Sequence, residues 1–267
     1  TISHRTEIAD QVGLELTGSF STYKNEVLKV LDNPKATLSG GRTRLGDVCL
    51  TKQGYPISFF YGYQIEGFYN TDAEVAEYLA SYSNNIIPAA VGRWRIKDVS
   101  GPDGVPDKVI NDYDRTMIGD PHPDFQVGLN IALIYKGFDF SGFAFWNQGG
   151  DLFNYARYYS DFQTFQTQRS HEFLYDSWTP TNQNALLPKL DLSDTYSNKY
   201  ATSYYIEDAS YIRLKTLQLG YTVPVNVLKK INIAKARIYV QAQNIITAKK
   251  TSCLDPGLSI QGGDLSM

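Results

Sequence analysis

No stretch of this sequence reaches the roughly 18 consecutive apolar residues of a membrane-crossing helix, so a helical span is excluded. Basic runs are missing as well. The formal net charge is −3 over 267 residues, which argues against nucleic acid as the main partner. Cysteine is scarce. Cys49 and Cys253 stand far apart, with no metal-ligand spacing around either; free thiols and, in an exported protein, a bridge both stay open. His4, His122 and His171 are isolated, so neither a zinc site nor a catalytic triad is written in any local motif. The opening TISHRTEIAD is polar and lacks the apolar segment of a signal peptide. If the protein is exported, its true start lies upstream of Thr1.

Aromatic residues are abundant: 20 Tyr, 13 Phe and 3 Trp. They suit strands, aromatic girdles and sugar- or peptide-binding surfaces alike. Hydrophobic residues make up 42%, close to the soluble average, so hydropathy does not choose the solvent. The length allows one large all-β domain or two ordinary ones.

The clearest pattern runs from Phe125 to Trp146. Phe125, Val127, Leu129, Ile131, Leu133 and Tyr135 alternate with Gln126, Gly128, Asn130, Ala132, Ile134 and Lys136. This is the period of a strand with one apolar face. Its length of about eleven residues matches a tilted membrane-spanning strand, about 9–11 residues, and exceeds the usual five or six of soluble sheets. Lys136-Gly137 forms a tight turn. On the returning arm, Phe138 and Phe140 share one parity and Phe143 and Phe145 the other. Gly142 marks a candidate bulge that switches phase, a point the sequence leaves open.

Ile8 to Phe20 reads as a second strand of spanning length. YKNEVLKVLDNP fits a short helical turn ended by Asn33-Pro34. Arg42 to Tyr63 is strand-like, broken by Gly46, Gly54 and Pro56. TDAEVAEYLASY reads as a helix with Thr71 as N-cap and Glu74 at capping-box spacing. Residues 84–124 read as loop. Asp98, Ser100, Asp103 and Asp107 invite a calcium reading, but an EF-hand needs Gly at the sixth position and Glu at the twelfth. Counted from Asp98 those positions are Asp103 and Val109, so Asx-turns fit better. Residues 147–203 form a long aromatic-rich excursion with a short helix within Asp161–Ser177. Tyr204 to Tyr221 and Ala236 to Ile246 are further strands, joined by VPVNVLKKINI with a few helical residues.

Links after about residue 20, at 136–137 and at 222–235 are short or moderate. Links at 64–124, at 147–203 and after 246 are long and polar. Such segregation is the signature of an outer-membrane barrel, and a soluble sandwich has no reason for it.

Four segments then resemble one family. GYPISFFYGYQIEGFYNTDAEV, GRWRIKDVSGPDGVPDKVINDYDRTMIGDPHPDFQVGLN, YIEDASYIRLKTLQLGYTVP, and ARIYVQAQNIIT followed by DPG are similar, in that order, to segments of SusC/RagA-type TonB-dependent outer-membrane transporters. The resemblance implies an all-β fold, part of a large transmembrane antiparallel barrel of roughly 22 strands. About six of those strands fall within residues 1–267, which correspond to the C-terminal part of the barrel. The plug domain, the TonB box and the last strand are not in these residues. GPDGVPD is less dense in Asn and Asp than the family's run, which puts an ion-binding role there in doubt.

The resemblance further implies TonB-coupled import of a bulky nutrient, glycan or peptide, through the outer membrane of a bacterial cell. Partners are a SusD-like lipoprotein lid, TonB acting through the plug, and outer-membrane lipid. No cofactor, metal or catalytic residue is expected. Loops 64–124 and 147–203 would form the mouth, and Tyr158, Tyr159 and Trp178 are the candidate contacts for ligand or partner; self-packing of an ordered loop is the plainer reading of each. Trp94 and Trp146 are expected to anchor at membrane interfaces. The alternatives are a soluble β-sandwich that binds carbohydrate or serves adhesion, and a glycosidase. No spacing marks the carboxylate pair that a glycosidase needs.

Overall fold

The computed structural model describes residues 1–9, 12–33, 35–83, 86–162, 169–191, 199–229 and 232–257. The chain divides into two compact units. The first draws on Thr1–Lys24, His122–Gly150 and Asp208–Pro256; the second draws on Asn25–Pro121 and Asp151–Glu207.

The first unit is one antiparallel six-stranded sheet. Its strands are β1 (Ile2–Ala9), β2 (Val12–Ser21), β3 (Phe125–Tyr135), β4 (Phe138–Gln148), β5 (Tyr211–Thr222) and β6 (Arg237–Lys249). Each pairs with the next in chain order. Three links close the same end of the sheet: Ala9 to Val12, Tyr135 to Phe138, and Thr222 to Arg237. The middle one is tight because Lys136 (φ 45°) and Gly137 (φ 88°) both take the left-handed conformation that matches strand twist. The two long excursions leave and return at the other end, between Ser21 and Phe125 and between Gln148 and Tyr211.

Register decides the faces, because directly paired residues point the same way and neighbours along a strand point oppositely. Leu133 lies between Leu14 and Phe140, Ile131 between Leu16 and Gly142, and Val127 between Phe20 and Trp146. The same face continues through Leu219 and Val240, and through Ile212 and Ala248. The opposite face carries Glu15, Thr17, Ser19, Gln126, Asn130, Asp139, Asn147, Gln218, Arg237 and Gln241. Among the described residues nothing in this unit covers the apolar face: Phe20, Leu219, Ile238, Val240 and Ile246 stand exposed, Val240 at 74%.

The sheet corrects several expectations. Ile8 to Phe20 is not one strand. The chain reverses between Ala9 and Val12, and Ile2–Ala9 pairs back on Val12–Ser21. Alternation is blind to a reversal, and SHRTE offers no apolar parity of its own. Gly142 is not a bulge either. Pairing of β3 with β4 runs unbroken from Tyr135–Phe138 to Phe125–Gln148. The irregularity lies in the neighbouring strands: Lys215 is an extra residue on β5 between the partners of Phe143 and Ala144. Opposite it, β6 places two residues, Asn244 (φ 51°) and Ile245, against the one Lys215. The count of six strands holds with different members, since Arg42 to Tyr63 is absent from this sheet and Ile2–Ala9 is in it.

The second unit is richer in structure than its loop-like sequence suggests. Thr37–Thr43, Gly46–Lys52, Phe59–Gly62 and Thr116–Gly119 form a four-stranded sheet; Ile65–Phe68 pairs with Trp94–Ile96, and Asp151–Phe153 with Ile206–Asp208. Helix α1 (Asp72–Ser81) begins as expected. Thr71 Oγ1 accepts the Glu74 N–H at 3.2 Å and Glu74 Oε2 accepts the Asn70 N–H at 2.8 Å. Asn25 to Asn33 is not helical. Val27 instead exchanges backbone hydrogen bonds with Gly54 and Tyr55. Of the helix expected within Asp161–Ser177, the described parts are a π turn at Tyr158–Phe162 and a short helix at His171–Tyr175; residues 163–168 lie outside the described residues. Val225–Leu228 is the short helix of the last link.

Trp94 is not at an interface. It is 2% exposed, in an aromatic core with Phe60, Phe153, Tyr158, Tyr204 and Tyr205. Trp146 lies on the apolar face of β4, edge-to-face with Phe125 at 4.9 Å.

Candidate functional site

The excursion Asp151–Glu207 is held by polar contacts inside the aromatic core. Asp161 is buried and accepts the Tyr204 hydroxyl. Arg157 pairs with Glu207 at 2.6 Å and lies 4.9 Å from the Tyr204 ring centroid. The Tyr155 hydroxyl accepts the Arg44 backbone N–H at 3.0 Å. Burial pushes the Tyr155 phenol up to about 12. Burial first and the Asp161 carboxylate second push Tyr204 far above its ordinary value. These groups stay neutral and act as hydrogen-bonding posts in the core.

Tyr158 and Tyr159 come together there. Tyr158 is buried, stacked on Tyr155 at 5.4 Å, and meets Tyr159 edge-on at 5.1 Å. Tyr159 is half-buried, with the exposed Arg44 guanidinium 5.9 Å from its centroid. Of the pair, Tyr159 is the ring that still meets solvent.

Trp178 is placed elsewhere in the unit. It is 2% exposed, and its indole N–H donates to Asn70 Oδ1 at 2.9 Å. Its six-membered ring lies over Gly92. A Cβ at Gly92 would come within 2.6 Å of both Trp178 and the Lys189 side chain, and Gly92 has φ +84°. Glycine is therefore required there twice, by conformation and by contact. Trp178 borders an open cleft of about 410 Å³, whose rim includes Leu174, Tyr175, Lys189 and Leu190. The volume falls in the range of small-ligand sites. Sequence reasoning missed Asn70, Gly92 and Lys189. No spacing links them to Trp178, because two of them come from the other excursion.

The Asp-rich segment is built from turns. Asp98 Oδ2 accepts the Lys108 N–H at 2.7 Å, and Asp107 Oδ1 accepts the Val109 N–H at 3.0 Å. Asp114 is fully buried and accepts the N–H groups of Val99, Ser100 and Asn111. Among the described residues no group of three His, Cys, Asp or Glu could hold a metal ion. Cys49 and Cys253 are both free thiols, and burial raises the pKa of Cys49. No helix among the described residues is long and apolar enough to cross a membrane, a fact silent on strands.

No family model matches the chain. Comparison with curated proteins finds TonB-dependent receptor P3 of Formosa agariphila, 31% identical over 240 residues, 89% of this chain and 22% of that protein. TonB-dependent receptor SusC of Bacteroides thetaiotaomicron is 30% identical over 150 residues, 55% of this chain and 14% of SusC. Among solved structures, the RagAB peptide importer in its open-open state superposes over 95% of this chain and 25% of the matched one, with TM-score 0.70 and 20% identity. The chain belongs with the SusC/RagA-type TonB-dependent receptors. It spans a quarter or less of the length of each relative named. The superposition gives the sheet its architectural meaning: β1 to β6 are part of a RagA-like antiparallel β-barrel. Within the described residues that sheet is open, with β1 and β6 at its edges.

Proposed function

We propose that this chain is the C-terminal part of an outer-membrane transporter that imports a bulky nutrient, glycan or peptide, with energy delivered by TonB through the plug of the whole protein. One observation carries the reading. From β2 to β6 the sheet keeps a continuous apolar face in register, opposite a face that carries most of its polar side chains, and its three shorter links share one end. A spanning barrel needs an apolar band toward lipid and a polar lumen. A soluble sandwich would cover the apolar face with a second sheet, and the described residues of the first unit form none. The SusC/RagA relatives are receptors and importers, which favours transport over catalysis.

In this reading the segments 64–124 and 147–203 form the mouth and meet a SusD-like lipoprotein lid. Tyr159 and the rim around Trp178 are the contacts nearest to ligand. Tyr158 acts behind Tyr159 by fixing its ring. Trp146 and Phe125 sit at the lipid interface, where amphipathic aromatic rings anchor.

Uptake tests the proposal. Deleting the gene should abolish growth on one polymeric nutrient, glycan or peptide, and deleting TonB should reproduce that loss. Growth that survives without TonB would overturn energy coupling. Recovery of the natural full-length product in the soluble fraction, without detergent, would overturn the barrel. Co-purification of a lipoprotein with the tagged receptor is expected from mild detergent extracts.

A further inference from the structure

The cleft bordered by Trp178 has a chemistry that selects its occupant. Its apolar wall is Val91, Leu174, Tyr175, Pro180 and Leu190. Leu174 and Tyr175 are 64% and 67% exposed, unusually bare for residues of their size. One face of the Tyr175 ring is already covered by His171, at 4.3 Å.

Most polar groups along the cleft are committed to the fold. The Ser177 hydroxyl donates to the Phe173 carbonyl at 2.7 Å. Thr179 Oγ1 accepts the Asn182 N–H at 3.0 Å and lies 3.1 Å from Thr181 Oγ1. The Asn182 amide donates to Asp176 at 3.3 Å, and the Trp178 N–H is taken by Asn70. That leaves Lys189. Its side chain is exposed and makes no ion pair among the described residues. A sugar needs several free donors and acceptors around its ring. This cleft offers a mainly apolar surface, the Tyr175 phenol and a single cation.

We propose that the cleft binds the end of a short peptide: a large apolar C-terminal side chain against Leu174, Tyr175 and Leu190, and the terminal carboxylate at the Lys189 ammonium. As a statement about cargo this rests on the uptake reading; as a statement about binding it does not. Gly92 sets the geometry. Lys189 donates its backbone N–H to the Gly92 carbonyl at 2.8 Å, and its Cβ packs over the position a Gly92 side chain would fill. The stem of the lysine is thus fixed beside the apolar wall while its head remains free to pair.

The test uses the whole receptor, purified from membranes in detergent and titrated calorimetrically. The probes are acetyl-Ala-Ala-Leu with a free carboxylate, the same peptide as its amide, and maltohexaose. The acid should bind, and the amide should bind about tenfold more weakly, the worth of one charge-assisted hydrogen bond. Lys189→Gln should weaken the acid about tenfold and leave the amide unchanged, a coupling that general damage to the fold would not produce. Leu174→Asp should weaken both peptides. Lys189 and Leu174 are exposed, so both variants should retain the heat-modifiable gel shift of the folded barrel. A silent wild-type titration, equal binding of acid and amide, no effect of Lys189→Gln, or displacement of the peptide by maltohexaose would each overturn the assignment. Loss of TonB dependence in cells would sink the uptake reading and leave this titration untouched. A silent titration with intact uptake would sink the cleft assignment alone.

Discussion

Replacing Leu129 by arginine tests the two-faced sheet at its centre. β3 has eleven residues. Its ten steps of about 3.4 Å make it roughly 34 Å from end to end, and a tilt of about 45° gives it a height of roughly 24 Å. That matches the apolar band of about 25 Å in outer-membrane barrels. Leu129 is the fifth residue of the strand, so it lies near mid-height, about 10 Å from one end of the strand and about 14 Å from the other. Its partners are Gly18 and Ala144, and the nearest residues along its own face are Val127 and Ile131. None can accept a hydrogen bond from a guanidinium by its side chain. Arginine at such a depth costs about 2–4 kcal/mol, or about 30- to 900-fold in the folding equilibrium. Asn130, the next residue, faces the polar side between Thr17 and Phe143. Asn130→Arg is expected to cost less than about 0.5 kcal/mol, as for a solvated position. The assay is denaturant unfolding of the full receptor in lipid vesicles, read by heat-modifiable mobility. Leu129→Arg should shift the midpoint strongly and Asn130→Arg should not. Equal losses at the two positions would refute the assignment of faces, and a larger loss at Asn130 would invert it.

Three further outcomes are expected. Gly220→Ala should break the bridge from Arg237 to Asp139, because a Cβ there would meet Arg237 at 2.5 Å and Asp139 at 2.6 Å; the lowered unfolding midpoint should disappear in an Asp139→Ala background, and persistence there would show that backbone strain is the cause. Thr71→Ala should cost about 1 kcal/mol through loss of the α1 cap, visible as faster proteolysis confined to Asp72–Ser81, since that helix buries no residue. Stability of the second unit should fall as pH rises above about 10, the ordinary tyrosine value. The Tyr155 phenol is held up to about 12 in the folded protein. Between those values the unfolded chain has lost a proton that the folded one keeps, so rising pH favours unfolding. Absorbance at 295 nm should show a late-ionising tyrosine fraction, and Tyr155→Phe should flatten the alkaline slope of stability.

Strand periodicity alone located most of the spanning elements, because burial on one face imposes a period of two wherever that face is apolar. It failed where that condition failed. Ile2–Ala9 has no apolar parity to reveal it, and the bulge at Lys215 is invisible because an extra residue on β5 leaves the pattern of β4 intact. Thr71 and Glu74 were legible as a cap because capping is local chemistry. Of the second unit, Arg42 to Tyr63 was legible as strand, and most of its remaining strands read as loop. Its strands are mostly three to seven residues long, too short to show a period, and they pair across large separations, as Phe59–Gly62 does with Thr116–Gly119.

The candidate contacts divide along the same line. The sequence by itself marked Tyr158, Tyr159 and Trp178 as aromatic residues in a long polar excursion. Only the tertiary structure separated them: Tyr158 in the core, Tyr159 at its edge beside Arg44, and Trp178 on Gly92 and Asn70 at a cleft. Side-chain alternation is a property of the strand itself, so the chain carries the two faces of its sheet openly. A cleft is made by residues distant in sequence, and Lys189 acquires its meaning when the fold satisfies most of the polar groups around it.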